Sequence, residues 1–172
     1  MSQEDSVAPP TAPYEGGCTC RQVRYRLASS PLFVNCCHCR WCQRETGSAF
    51  VINAMIESDR VSLLQGDIDM VDTPSLSGKG QKIARCQRCR GALWSHYAGF
   101  GTAVSFVRVG TLDNPDALPP QVHIFTESKQ PWVQLPAGTP VMPQYYKASE
   151  IWPAESLERR AALLAKLAPP SA

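Results

Sequence analysis

Cys86-Gln87-Arg88-Cys89 is the segment that decides the fold, because it complements a second short pair, Cys18-Thr19-Cys20, far earlier in the chain. Together the two pairs supply four thiolates, the number that a closed tetrahedral zinc site requires. Because the two pairs come from distant segments, a shared zinc ion would connect the first strand to the middle of a sheet. Zinc binding would therefore stabilise the fold. We therefore predict a structural zinc held by Cys18, Cys20, Cys86 and Cys89. The alternative is that Cys86 and Cys89 are ordinary buried thiols.

A second motif, Cys37-His38-Cys39-Arg40-Trp41-Cys42, supplies only three thiolates. Three protein ligands with a fourth position left for water or substrate are the pattern of a catalytic zinc. Such a position could bind a substrate thiol and lower its pKa, which makes the thiolate a nucleophile at neutral pH. We predict Cys37, Cys39 and Cys42 as catalytic metal ligands. His38 is an alternative fourth ligand, and Cys36, which strand alternation points the other way, is interpreted as a small core residue.

The chain has eight cysteines, an even number, so disulfide bonds are the alternative to metal binding. Spacing counts against them, because bonds within Cys18-Thr19-Cys20 or Cys37-His38-Cys39 would close very small, strained rings. Residues 1–13 are polar and proline-rich and carry no recognisable export signal. We therefore predict a cytoplasmic protein whose thiols bind metal.

Length and charge restrict the classes of function. The 172 residues fit one domain, and the net charge of +2 comes from 17 basic and 15 acidic side chains spread along the chain. Without a basic stripe, we predict no binding to nucleic acid or to an anionic membrane. Apolar residues make up 44%, yet no apolar run approaches the roughly 18 residues that cross a bilayer. A soluble protein is expected.

Hydrophobic periodicity predicts a mainly β fold. Alternation and turn residues predict strands over 23–27, 50–56, 61–64, 93–97, 104–109, 123–126 and 132–135, with Glu15-Gly16-Gly17 as a turn before them. A short helix is expected over 39–46, ended by Gly47. The predicted divisions are a disordered leader over 1–13, a zinc domain over 14–150, and a C-terminal helix and tail over 151–172.

The C-terminal helix is predicted over 154–168, after Pro153. It is amphipathic, because one face carries Leu157, Ala161, Leu164 and Ala168. We expect that face to pack on the sheet, with formation of a homodimer as the alternative.

The order of these motifs resembles that of the glutathione-dependent formaldehyde-activating enzymes, a family that also contains the centromere protein V relatives. The matching segments are 16–20, 23–25, 37–42 with Gly47 and Phe50, the pair Cys86 and Cys89 with Leu93, 110–113 and 123–132. The resemblance covers about residues 14–132 and implies an Mss4-like, zinc-stabilised β-sheet fold. It implies zinc at the two structural pairs and a second, catalytic zinc at Cys37, Cys39 and Cys42.

The resemblance also implies an activity. Glutathione would add to formaldehyde to give S-hydroxymethylglutathione, and the reverse step is carbon–sulfur lyase chemistry. Two zinc ions per chain and glutathione as co-substrate are then expected. Three departures from the family pattern stand out: Arg21 and Arg90 replace the glycines after the structural pairs, where left-handed turns are expected, and Gln43 replaces an arginine. The first two should be tolerated at a cost of order 1 kcal/mol, whereas Gln43 bears on substrate identity.

Several side chains near the motifs are candidate substrate contacts. Arg40, Arg44 and Lys129 are predicted to bind the carboxylates of glutathione or of another acidic thiol, with solvated surface charge as the alternative. Trp41 and Trp132 could line a pocket but are predicted as core aromatics. His123 is predicted to be a hydrogen-bonded structural histidine, with proton transfer as the alternative.

The leading hypothesis is therefore a zinc-dependent lyase that binds a thiol and joins it to, or releases it from, a small aldehyde. One alternative is a non-catalytic zinc module that docks a protein partner. Another is a lyase that acts on a thiol adduct other than that of glutathione and formaldehyde.

Overall fold

The computed structural model describes residues 12–168. Most of the predicted leader, and the tail after residue 168, lie outside these residues. Strands predominate in the described part, as predicted. In chain order they are β1 (Tyr14–Gly17), β2 (Arg24–Leu27), β3 (Phe33–Cys37), β4 (Val51–Glu57), β5 (Val61–Gln65), β6 (Ile68–Thr73), β7 (Gln81–Cys86), β8 (Ala92–Tyr97), β9 (Val104–Arg108) and β10 (Val122–Ile124).

These strands pair into two sheets. The smaller has the order β1-β2-β5, and the larger has the order β10-β3-β4-β9-β8-β7-β6. Pairing in both sheets is antiparallel except at one edge, where β10 runs parallel to β3. The strand that leads into the second cysteine motif, β3, therefore lies between β10 and β4.

The larger sheet is buried on both faces at its centre. β3 and β9 are buried along their whole length. Because successive side chains of a strand point to opposite faces, neighbouring residues of β3 join different cores. Val34 joins the cluster with Tyr25 and Trp94, next to the small sheet, whereas Phe33 joins the cluster with Trp152, next to the C-terminal segment.

Three α-helices occur within residues 12–168: α1 (Arg40–Thr46), α2 (Ala148–Ile151) and α3 (Ala154–Leu167). Cys39 caps α1, because its Sγ accepts a hydrogen bond from the amide of Cys42, and Gly47 ends it with a φ of 64°. The helix predicted at this point and its glycine stop are thus confirmed. None of the helices is both long and apolar enough to cross a membrane.

Most predicted strands are confirmed within one or two residues. The predictions for the first and the last of these segments, 15–17 and 132–135, are wrong. The segment 132–135 forms no strand. The segment predicted as a turn, Glu15-Gly16-Gly17, belongs to β1, where its glycines allow close packing. A Cβ on Gly16 would lie 2.6 Å from the hydroxyl of Tyr25, and one on Gly17 would lie 2.3 Å from the carbonyl oxygen of Val23.

Two further strands were not predicted from the sequence, β6 and β7. They form the edge of the larger sheet opposite β10. β6 carries Asp69 and Asp72, and β7 carries Lys82 and Arg85. These charges interrupt the apolar signal of a strand. The ladder between β6 and β7, which pairs Asp72 with Lys82 in register, supplies the pairing that local sequence does not indicate.

The C-terminal helix is confirmed over Ala154–Leu167, but its packed face is not the predicted one. Ser156 is buried, and Leu157 and Leu163 pack against the core cluster of Trp152. The other predicted members, Ala161, Leu164 and Ala168, are exposed. Arg159, on the packed side of the helix, forms an ion pair with the buried Glu57 of β4, with Nη2–Oε2 at 2.6 Å.

Candidate metal centres

The first cysteine group joins the two predicted structural pairs. Cys18 and Cys20 follow β1, while Cys86 ends β7 and Cys89 lies in the turn after it. The four Sγ atoms lie within 4.8 Å of one another, with Cys18–Cys20 at 3.4 Å and Cys20–Cys86 at 3.8 Å. Zn–S bonds of about 2.3 Å in a tetrahedron place sulfurs about 3.8 Å apart. The donor set and its spacing are compatible with a closed zinc site.

Arginines occupy the left-handed turns that follow these pairs. φ is 59° at Arg21 and 61° at Arg90. In each turn the arginine amide donates back to the first cysteine of its pair, to the carbonyl oxygen of Cys18 or of Cys86, at 2.9 Å. The expected left-handed turns are confirmed. Each of the two arginines adopts this backbone conformation at a cost of order 1 kcal/mol, because an L-residue has a Cβ that crowds the following carbonyl oxygen.

Backbone amides also act on the sulfurs of this group. The amide of Val23 donates to Cys18 Sγ at 3.2 Å. The amide of Gly91 is the largest cause that lowers the pKa of the Cys89 thiol to about 6. Because the thiolate is the metal-binding form, this turn favours the state that a cation would need.

The second cysteine group lies where β3 passes into α1. Cys37 ends the strand, Cys39 caps the helix and Cys42 lies in its first turn. The three Sγ atoms lie within 4.8 Å of one another and all three residues are buried. Hydrogen bonds from Cys37 and Cys42, and from the amides of Cys42 and Trp41, lower the pKa of Cys39 to about 3. Hydrogen bonds to Cys39 and Cys42, with burial, raise the pKa of Cys37.

His38 does not join this group, so the alternative in which it closes the site finds no geometric support. Its Nε2 lies 3.0 Å from Nδ1 of His123 and 3.6 Å from Sγ of Cys36, and all three residues are buried. Burial and the nearby charges of His123 and Lys129 lower the pKa of His38 to about 4. Burial raises the pKa of Cys36 to about 12. His123 is hydrogen-bonded, as predicted, and Cys36 is buried, as predicted.

Gln43 ties the second cysteine motif to the segment after β10. Its Nε2 donates to the carbonyl oxygens of His38 at 2.6 Å and Ser128 at 3.0 Å, and its Oε1 accepts from Arg40 at 2.8 Å. The residue is 8% exposed. From the sequence, Gln43 is connected only with substrate choice. In the structure its hydrogen bonds also hold the second cysteine motif against the segment after β10.

Two further polar residues near the second group were missed by the sequence analysis. Arg108 of β9 is buried and donates to Oδ1 of Asn53 at 2.6 Å and Oγ of Ser95 at 3.1 Å. Burial and the negative charge of the second group, led by Cys42, raise the pKa of Tyr97. An arginine inside the apolar run 104–109 was the available signal for Arg108. Tyr97 had none, since tyrosine is common in strands.

The predicted substrate-binding residues separate into two kinds. Arg40 and Arg44 are exposed and line a surface cleft of about 580 Å³ together with Gln130 and Trp132. Lys129 is half-buried, and its Nζ donates to the carbonyl oxygens of Gln130 at 3.1 Å and Val133 at 2.6 Å. Lys129 therefore closes the loop that carries two residues of the cleft.

The prediction that Trp41 and Trp132 are core aromatics is wrong. Trp41 is 39% exposed and lines a second cleft of about 660 Å³ together with Tyr97. Trp132 is 70% exposed, and its indole N–H donates to Oε1 of Gln130 at 2.7 Å. Trp41 borders a cleft because Cys42 and Gln43 are the buried residues of α1. Trp132 lies outside the helices and strands and borders the other cleft.

The fold and the two cysteine groups define a class of protein, a β-sheet domain with one saturated and one unsaturated set of thiol ligands compatible with zinc. Within that class the chain belongs to the family of glutathione-dependent formaldehyde-activating enzymes, whose family model matches residues 13–128. The match spans both cysteine groups, α1 and the strand of His123. The family named from the motifs is thus confirmed.

Other comparisons add little. No curated protein sequence matches the chain. Among solved structures, a protein from Rhodobacter sphaeroides is similar at 19% sequence identity over 59% of this chain and 92% of that chain, with a TM-score of 0.45.

Proposed function

We propose that this protein is a zinc-dependent carbon–sulfur lyase of the glutathione-dependent formaldehyde-activating type. It would join a thiol to a small aldehyde and catalyse the reverse step. The observation that carries the proposal is the group Cys37, Cys39 and Cys42, in which three buried thiols meet within 4.8 Å. Since three ligands leave one position of a tetrahedral ion open, this group suits an incoming thiol.

Both cysteine groups have donors that suit zinc, because soft thiolate ligands select this ion over magnesium or calcium. In this proposal Cys18, Cys20, Cys86 and Cys89 hold a structural zinc, and Cys37, Cys39 and Cys42 hold a catalytic one. When bound at the second group, zinc would supply a Lewis acid that lowers the pKa of a substrate thiol.

Recognition of glutathione is assigned to the cleft on the exposed side of α1. Arg40 and Arg44 lie one helical turn apart and both line it. Guanidinium groups bind carboxylates through paired, charge-assisted hydrogen bonds, and glutathione carries two carboxylates. Arg40 is already held by Gln43, which orients one of the two cations. Lys129 would act through its loop, which presents Gln130 and Trp132.

The bond changes in the reaction are simple. The substrate thiol loses its proton, its sulfur bonds to the carbonyl carbon of the aldehyde, and the π electrons of the carbonyl move to oxygen, which then takes a proton. We assign Tyr97 as the hydrogen-bond donor to that oxygen. Its phenol is protonated at neutral pH, burial and the nearby thiolates raise its pKa further, and it lines the cleft that borders Trp41. The reverse step exchanges these roles.

The test is to measure zinc and catalysed exchange in the same samples. Exchange between glutathione with formaldehyde and S-hydroxymethylglutathione can be followed by two-dimensional exchange NMR, with the uncatalysed rate subtracted. We expect two zinc ions at the groups named here, one of them perturbed by glutathione, and a catalysed rate that Cys39→Ser abolishes. If Cys39→Ser retained both the zinc and the exchange rate, the proposal would be wrong.

Two other outcomes identify the alternatives. A single zinc that glutathione does not perturb, with no catalysed exchange, would favour a module that docks a protein partner. Zinc perturbation by other thiols but not by glutathione would favour a lyase with a different thiol adduct. Whether the thiol is glutathione or another, the substrates of the proposed lyase are a small thiol and a small aldehyde. We propose a reducing, cytoplasmic setting, which is supported by eight free cysteines.

A further inference from the structure

The sequence Cys36-Cys37-His38-Cys39 places metal-binding side chains on both faces of the chain as it leaves β3. In an extended strand, alternate residues share a face. Cys37 and Cys39 point to the second cysteine group, and Cys36 and His38 point the opposite way. The motif of the family accounts for the first pair, whereas the second pair has no assigned purpose.

The parallel edge strand supplies a third side chain to this opposite face. β10 pairs with β3 in the register His123 to Cys36, so these two residues are direct neighbours. His38 Nε2 then lies 3.0 Å from His123 Nδ1 and 3.6 Å from Cys36 Sγ, and the three candidate ligand atoms fall within 4.8 Å of one another. All three residues are at most 5% exposed.

We propose that Cys36, His38 and His123 form a third metal-binding site, for a borderline-soft divalent cation of which Zn²⁺ is the first choice. Two imidazole nitrogens and one thiolate are a donor set that this ion prefers. At metal–ligand distances of about 2.0–2.3 Å, tetrahedral geometry sets N–N near 3.3 Å and N–S near 3.6 Å. The two separations seen here, 3.0 and 3.6 Å, are close to those values. Binding would exchange the proton of the Cys36 thiol for the cation.

The hydrogen bond between the two imidazoles joins the same two nitrogens that would ligate the cation, Nε2 of His38 and Nδ1 of His123. A bound cation would replace that hydrogen bond. The ring protons would then lie on Nδ1 of His38 and Nε2 of His123, which are buried without a protein partner in the described structure.

The site would join the most weakly paired strand to the sheet. β10 holds only three residues and pairs with β3 alone among the strands of the sheet. In the segment after it, the carbonyl oxygen of Ser128 accepts from Gln43 and Gln130 lines the cleft with Arg40 and Arg44. A cation shared by β3 and β10 would therefore fix the position of that segment.

The test counts zinc per chain in the full-length protein for Cys36→Ser and His123→Gln. The matched control is His96→Gln, which changes the remaining histidine of the three in the chain, whose Nδ1 lies by the carbonyl oxygen of Val104 at 3.0 Å. We expect each of the first two variants to lose one zinc relative to wild type and His96→Gln to lose none. Unchanged zinc in Cys36→Ser and His123→Gln would overturn the proposal.

A second measurement needs no variant and so does not depend on folding. Zinc X-ray absorption of the wild-type protein should show imidazole scattering, because neither cysteine group contains histidine. Spectra that fit sulfur ligands alone would overturn the third site. This test is independent of the proposed lyase activity. Cys39→Ser should remove a sulfur-bound zinc and leave the imidazole scattering of the third site unchanged.

Discussion

Nε2 of Gln43 donates to the carbonyl oxygen of His38 at 2.6 Å, and this contact connects α1 to the residue between Cys37 and Cys39. The same amide nitrogen donates to Ser128, from the segment after β10. We expect Gln43→Ala to lower the free energy of unfolding by about 1–3 kcal/mol, because two hydrogen bonds from the Gln43 amide are lost, although Ser128 Oγ still donates to the carbonyl oxygen of His38. Denaturant unfolding of the zinc-loaded protein measures this. Gln65→Ala, at an exposed position of β5, is the control and should change stability by less than about 0.5 kcal/mol.

The pair of Glu57 and Arg159 makes the docking of α3 depend on pH. Burial raises the pKa of Glu57, but the hydrogen bonds and charge of Arg159 outweigh it, so the pKa is lowered overall. The pair therefore stabilises the fold above the unfolded pKa of about 4.3, and that contribution is lost as pH falls through the lower, folded value. Urea unfolding of Glu57→Gln should show a loss of stability at pH 7 that shrinks below pH 4.

A control for this pair is the exposed one between Lys82 and Asp72, whose side chains are 52% and 82% exposed. Asp72→Asn should have little effect at any pH, since exposed pairs contribute little. Equal losses in Glu57→Gln and Asp72→Asn would contradict the assignment of the pH dependence to Glu57.

The left-handed backbone at Arg21 predicts a stabilising substitution. Glycine accepts a φ of 59° without the Cβ penalty. We expect Arg21→Gly to raise the free energy of unfolding by up to about 1 kcal/mol, less the entropy that glycine adds to the unfolded chain. Arg21→Ala, which keeps a Cβ, should give no gain. A gain in Arg21→Ala equal to that in Arg21→Gly would mean that the side chain and not the backbone is the cause.

The two cysteine groups should differ in what their loss does to the fold. Cys86→Ser removes one thiol of the proposed structural zinc site, which would join β7 to the segment after β1, so we expect loss of cooperative unfolding. Cys39→Ser should keep a cooperative transition, because α1 and β3 retain their packing. Circular dichroism during a chelator titration of wild type gives the same information. The fold should survive loss of zinc from the group of Cys37, Cys39 and Cys42, and should unfold when zinc leaves the group of Cys18, Cys20, Cys86 and Cys89.

Tyr97→Phe tests the proposed hydrogen-bond donor. The variant should reduce catalysed exchange by about 100-fold while zinc content and glutathione binding stay unchanged. Thr102→Ala, an exposed residue that lines the same cleft, is the control and should keep the wild-type rate. A normal rate in Tyr97→Phe would remove Tyr97 from the mechanism.

Most of the fold and both cysteine groups could be predicted from local sequence. Two cysteines that lie two or three residues apart can bind the same metal ion. Two such pairs supply the four thiolates of a closed zinc site, so Cys18, Cys20, Cys86 and Cys89 could be assigned to one group. The short helix before Gly47 follows from its cap and stop signals. The face of α3 was wrong because Arg159 pairs with Glu57, a partner that helical periodicity alone does not reveal.

The sequence by itself determined which residues can ligate a metal. It also determined how seven of the cysteines divide between the first and the second cysteine group, because thiol chemistry and short-range spacing are local properties. Only the tertiary structure decided that Cys36, His38 and His123 lie together, since their contact depends on the parallel register of β10 with β3. The same holds for Gln43, Tyr97 and Arg108. Their roles arise from burial and charge beside the second cysteine group, which are set by the packing of segments far apart in the chain.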